Sequence, residues 1–146
     1  MRTRIVGLLV VSFLVAGCEK SRLDARVREL CSRDGGIKVF ETVALPLNRF
    51  DKWGNFPLPA REYAKPSDEY FYVLETEYLK TGKPDLLRTR MTVVRRADGK
   101  VLGESIRYTR RGGDMPGPWH ESSFGCPDLA AHRSLEKSVF VRSAVQ

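Results

Sequence analysis

Thiols, imidazoles and serines are the groups in this 146-residue chain that could carry covalent or metal chemistry. Of the two histidines, only His120 stands beside a carboxylate, in His120-Glu121, a pair able to supply a general base from a Gly/Pro-rich stretch. A serine nucleophile would want the glycines of G-x-S-x-G. "LGESIR" around Ser105 lacks the closing glycine and reads as mid-strand, where a nucleophile elbow cannot form. H-E-x-x-H, a phosphate loop and a dinucleotide fingerprint are all absent from the sequence. A zinc site would want three or four gathered ligands. We therefore expect no cofactor and no metal, and rank an enzyme built on His120 and Glu121 last. Cys31 and Cys126 leave a disulfide, a metal pair and a redox pair open; they are not spaced C-x-x-C, and no histidine lies near Cys31.

The third thiol, Cys18, has a more telling setting. Met1-Arg2-Thr3-Arg4 is a short basic region, Ile5 to Val15 is apolar, and the run closes on Val15-Ala16-Gly17-Cys18. Such a run is too short to cross a bilayer, which takes about 20 apolar residues, and suits the apolar part of an export signal. These residues resemble the lipobox signal of bacterial lipoproteins. The resemblance implies cleavage before Cys18 and acylation of its thiol, so that residues 1–17 are signal peptide and 18–146 the mature domain. Each acyl methylene buried in lipid contributes about 0.8 kcal/mol, so two or three chains anchor durably. Glu19, rather than aspartate, follows the cysteine. By the sorting rule of enterobacterial lipoproteins this implies the outer membrane, facing the periplasm.

Removing residues 1–17 leaves 129, enough for one domain with a real core. It also removes Arg2 and Arg4, so the net charge falls from +7 to +5. A mildly basic envelope protein suits lipid phosphates or an acidic partner rather than nucleic acid. Arg22, Arg26, Arg28 and Arg33 are the candidates for lipid headgroups. In an oxidising compartment, Cys31 and Cys126 are most simply a disulfide.

The elements that must position these groups are legible in the patterning. In "SRLDARVRELCSR", Leu23, Val27, Leu30 and Cys31 form one apolar stripe of a helix over residues 21–33. Ser21 and Asp24 suggest a capping box, Asp24–Arg28 and Glu29–Arg33 suggest i,i+4 pairs, and Gly35-Gly36 a stop. Alternation from Ile37 to Leu45 predicts a strand. Tyr70–Lys80, Leu86–Arg96 and Lys100–Arg111 predict a meander, with Asp98-Gly99 as a two-residue type I′ turn. That turn opposes Met91 with Ile106 and Thr89 with Tyr108; the preceding hairpin opposes Leu74 with Met91 and Tyr78 with Leu87, leaving one face buried. Glu77–Arg88 and Glu75–Arg90, with Arg107 next across, then form a charge ladder on the solvated face. A short helix capped by Asp128 and an edge strand over residues 138–142 complete the reading. The expected fold is α+β: an N-terminal amphipathic helix on a four- or five-stranded antiparallel sheet, with one disulfide.

Two long Gly/Pro-rich connections carry large aromatics: Phe50, Trp53 and Phe56 in one, Trp119 and Phe124 in the other. Aromatics on loops over a rigid sheet make a recognition surface; equally, they could turn inward and complete a small core. The segment Leu30 to Pro46 also resembles short uncharacterised lipoproteins of proteobacteria and their mobile elements, which implies no particular activity. The expected function is an envelope lipoprotein that binds a protein or glycan, or serves structurally, through these loops near the membrane. The alternative is an exclusion or host-protective lipoprotein of a mobile element that blocks an envelope receptor.

Overall fold

The computed structural model describes residues 19–114, 120–126 and 134–143. Cys18, Trp119 and the expected cap Asp128 lie outside the described residues. The fold is α+β: a helix packed on a five-stranded antiparallel sheet and joined to it by a Cys31–Cys126 disulfide.

Helix α1 covers residues 19–34. It begins earlier than the apolar stripe, which puts Ser21 inside the first turn instead of at the cap. Val27 and Leu30 are buried, with Leu23 and Cys31 packed beside them. The helix stops where the Gly35 N–H bonds back to the Cys31 carbonyl at 3.0 Å and Gly36 takes a φ of +107°. That left-handed conformation is one that glycine adopts without penalty.

The strands are β1 (Gly36–Val39), β2 (Val43–Leu45), β3 (Tyr70–Lys80), β4 (Asp85–Arg95), β5 (Val101–Arg111), β6 (Ser123–Gly125) and β7 (Phe140–Arg142). A short helix, α2 (Leu135–Val139), precedes β7. The main sheet runs β1-β5-β4-β3, and β6 also pairs with β5. The strand expected from Ile37 to Leu45 is in fact two. At Phe40 and Glu41 both backbone N–H groups turn to the Leu102 carbonyl, at 2.8 and 3.0 Å. The chain then leaves the main sheet, and β2 pairs in parallel with β7. The final edge strand therefore forms, but in a separate two-stranded sheet, and α2 is capped by the Ser134 side chain.

The β3–β4 register is the expected one from Tyr70–Arg95 to Tyr78–Leu87, with a bulge beyond that sets Lys80, not Leu79, opposite Leu86. The β4–β5 register is shifted by one residue. Arg95 N–H bonds to Lys100 O at 2.9 Å, so the connection is a four-residue turn instead of the two-residue one. Asp98 holds that turn by accepting from the Lys100 N–H and from Arg95 Nε. Leu102 then bulges out, leaving Arg90 opposite Ile106 and Arg88 opposite Tyr108. Because side chains alternate across a strand, this slip moves the Ile106 and Tyr108 row to the face that the charge ladder occupies.

Both sheet faces are consequently covered, each over part of its length. On one, Leu86, Ile106 and Tyr108 meet Val27 and Leu30 of α1. On the other, Val93 and Leu102 pack with Leu45, Phe56, Leu135, Val139 and Phe140. Fully burying an aliphatic or aromatic side chain of this kind contributes about 1.5–3 kcal/mol. Gly103 is what lets α2 approach: a Cβ there would stand 3.0 Å from both the Val139 Cγ2 and the Lys38 carbonyl oxygen. The ladder pairs Glu77–Arg88 and Glu75–Arg90 exist but are loose, at 3.9 and 4.0 Å. Arg107 has no place in them, since it opposes Thr89 on the other face.

Polar ties also hold α1 down. Asp24 accepts from Arg110 at 2.8 Å instead of pairing with Arg28, and Asp34 accepts from the Tyr108 hydroxyl at 2.9 Å. Lys20 donates to Asp114, which also accepts from the backbone N–H and hydroxyl of Ser122. Lys20 first, and then the Ser122 donors, hold the Asp114 carboxyl well below the usual carboxylate range. A depressed folded-state pKa contributes stability above the ordinary value of 3.8 and loses it as pH falls through the lowered one. The thermal midpoint should therefore fall as the pH drops below about 4, and Asp114→Asn should flatten that limb while lowering the midpoint at neutral pH. An unchanged acid slope in the variant would show that Asp114 carries none of it.

Candidate binding surface

β3 is the edge of the main sheet. Its first residues are covered by the chain itself. The Tyr72 N–H donates to the Pro59 carbonyl and the Tyr72 carbonyl accepts from the Arg61 N–H, at 3.0 and 2.8 Å. Tyr72 thus points its backbone groups away from β4. By the alternation of an antiparallel ladder, Leu74, Thr76 and Tyr78 point theirs the same way. Among the described residues nothing pairs with that stretch, and Leu74 through Leu79 are all exposed.

The two faces of this open edge differ. On one stand Leu74 and Tyr78, large apolar side chains that are 58% and 53% exposed. The Tyr78 hydroxyl accepts from Arg111 at 3.1 Å, and Arg111 is itself held by Asp85 at 3.0 Å. On the other stand Glu75 and Glu77, whose loose arginine partners leave both carboxylates largely in solvent. Arg90 makes its shorter bond to Glu104, at 2.8 Å.

The aromatics expected to form one surface are divided. Phe56 is buried and stacks on Phe140 with centroids 4.3 Å apart, and Phe50 packs edge-on against it. Phe124, in β6, packs on the α1 core beneath the Arg28 guanidinium. Trp53 alone of the described four is outward, 70% exposed, with the Lys52 ammonium 4.2 Å from its ring centre. Asp51 presents it on a tight turn by accepting from the Trp53 and Asn55 N–H groups and the Asn55 amide. Composition could not separate these rings, because whether one faces inward depends on what the far end of the sheet leaves uncovered.

This loop also stands far from the start of α1. Glu19 pairs with Lys80 at the end of β3, at 3.2 Å, whereas Phe56 packs on Tyr70 at its beginning. Eleven residues of strand separate them by roughly 35 Å at about 3.3 Å per residue. Of the arginines proposed for headgroups, Arg26 pairs with Glu29 at 2.7 Å, Arg28 covers Phe124, Arg33 lies 3.7 Å from Asp34 and Arg22 is exposed. Arg26 and Arg33 do come together with Arg88 around a cleft of about 420 Å³ floored by Leu30, Leu79 and Leu86. Glu121 is held by Lys83 at 2.6 Å, and His120 is exposed. Among the described residues no three His, Cys, Asp or Glu side chains gather as metal ligands would. None of the described helices is long and apolar enough to cross a membrane.

Comparison with protein-family models, with curated proteins and with solved structures returns no match to this chain.

Proposed function

We propose that the chain is a cell-envelope lipoprotein, anchored through acylated Cys18, that works as a protein-binding module and not as a catalyst. The observation that carries this reading is the open half of β3, where unpaired strand backbone lies beside exposed Leu74 and Tyr78. A sheet edge of this kind receives an extended segment by main-chain hydrogen bonds, with side chains supplying specificity. The Cys31–Cys126 disulfide suits an exported protein. On this reading Glu19, the residue after the anchor, pairs with Lys80 at one end of β3, whereas the Trp53 loop lies toward the other. That revises the expected aromatic contact near the bilayer: Trp53 remains available to a partner, while Phe50, Phe56 and Phe124 are used in packing.

The test is photo-crosslinking in intact cells from positions 78 and 53, with the exposed turn residue Ala97 as control. A discrete protein adduct from position 78 that is absent from position 97 is the expected result. Equal labelling at all three positions, or none, would sink the binding-module reading.

A further inference from the structure

From the geometry of β3 we infer the chemistry of the partner: an extended segment with basic side chains at alternate positions and apolar ones between, added as a sixth strand along Leu74–Lys80. The inference rests on the binding-module reading above. Its length is set by the fold, since Pro59–Arg61 occupies the edge at Tyr72 and the strand ends at Lys80. The free stretch accommodates about seven residues, or roughly 23 Å of strand.

Charge decides what fits there. A guest strand sends successive side chains to opposite faces, so those on one face lie beside Glu75 and Glu77, and those on the other beside Leu74 and Tyr78. Arg88 and Arg90 only loosely engage the two glutamates, and Arg90 is drawn away by Glu104. Lysine or arginine on the guest opposite Glu75 and Glu77 adds the opposite charge at cross-strand distance, whereas the arginine-lined cleft at Leu79 favours an uncharged residue there. Apolar residues on its other side cover Leu74 and the Tyr78 ring. A second copy of this chain fits poorly in the register that uses the whole free edge: two β3 strands paired antiparallel about Thr76 would set Glu75 against Glu77 on both sides of the axis, and like charges directly opposite are destabilising.

The probe is a seven-residue peptide alternating lysine with valine and threonine, compared with the same peptide carrying glutamate in place of lysine. Binding to the full-length protein in detergent is followed by amide NMR shifts and hydrogen exchange. The lysine peptide should protect the amides of Leu74, Thr76 and Tyr78 and bind at least about tenfold more tightly than its glutamate counterpart, with the preference fading at high salt. Thr76→Pro, which removes an outward N–H and no pairing to β4, should abolish that protection. Glu75→Gln with Glu77→Gln, a milder change, should erase the charge preference while keeping the fold. No preference between the peptides, or binding that survives Thr76→Pro, would overturn the inference. Protection of the same amides without peptide, rising with protein concentration, would overturn it in favour of self-pairing. An adduct at position 78 in cells without lysine preference in vitro would refute the partner chemistry alone; failure of both would refute the binding module too.

Discussion

Replacing Cys31 and Cys126 together with alanine should lower the unfolding free energy by roughly 4–5 kcal/mol on loop-entropy grounds. The two residues are 95 apart in sequence, so the bridge closes nearly the whole domain into one loop. That closure raises the free energy of the unfolded chain by restricting where its two ends can wander. A domain of this size has only about 5–15 kcal/mol of net stability, so the variant should be marginal at physiological temperature. The loss should also be uneven. The bridge joins the end of α1 to the residue after β6, and both pack on Ile106 and Tyr108 rather than on the β3 edge. Hydrogen exchange should therefore rise first in α1 and β6, with the amides of the β3–β4 ladder protected longer. Urea unfolding of the variant and the parent measures the size, and exchange measures the place. A change below about 1 kcal/mol would mean that the unfolded chain is already held together by other contacts.

Arg110→Ala should cost roughly 3–5 kcal/mol, close to the disulfide, although no covalent bond is lost. The Arg110 side chain is 3% exposed, and its guanidinium serves Asp24, the Gly112 carbonyl and the carbonyl and hydroxyl of Ser122. Truncation leaves the half-buried Asp24 carboxylate without its countercharge and the Gly112 and Ser122 carbonyls without their donor. The cost is that of stranded polar groups, not the net strength of the ion pair. Arg110→Met with Asp24→Leu, which removes both charges but still leaves the Gly112 and Ser122 carbonyls without their donor, should be less harmful than Arg110→Ala alone. Urea denaturation of the three proteins decides it. Equal losses in the single and double variants would show that packing or the stranded carbonyls, and not the Asp24 charge, set the cost. Arg110 and the disulfide tie down the same helix, so their effects should not add.

Trp53 and Glu75 show how differently the site and the fold could be read in advance. Glu75 and Glu77 were visible as partners of Arg90 and Arg88 because strand alternation and a short hairpin fix what lies opposite what. That these carboxylates border a free edge was not visible. It depends on β1 and β6 both joining β5, which leaves β3 outermost, and on Pro59–Arg61 covering only its first residues. Five aromatics looked alike in composition. Packing against Phe140 and Tyr70 takes Phe56 inside, and the turn held by Asp51 turns Trp53 out.

What the sequence determined by itself is local. The helix stripe through Val27 and Leu30, its stop at Gly35-Gly36, the three long strands and the β3–β4 register follow from side-chain period and turn chemistry, which act over a few residues. The pairing of Cys31 with Cys126 was also within reach, since the expectation of export leaves the two remaining thiols one simple use. Only the tertiary structure decided the β4–β5 register, because a four-residue turn and the Leu102 bulge shift it by one, and a shift of one exchanges the faces. That exchange puts Ile106 and Tyr108 under α1 and gives the sheet two covered faces. It also draws Glu104 to Arg90 on the neighbouring strand, and Arg110 to Asp24, 86 residues away in the chain. A hydrophobic period states that a strand has two sides; which neighbour covers each side is settled by the competition of all the elements for the same sheet.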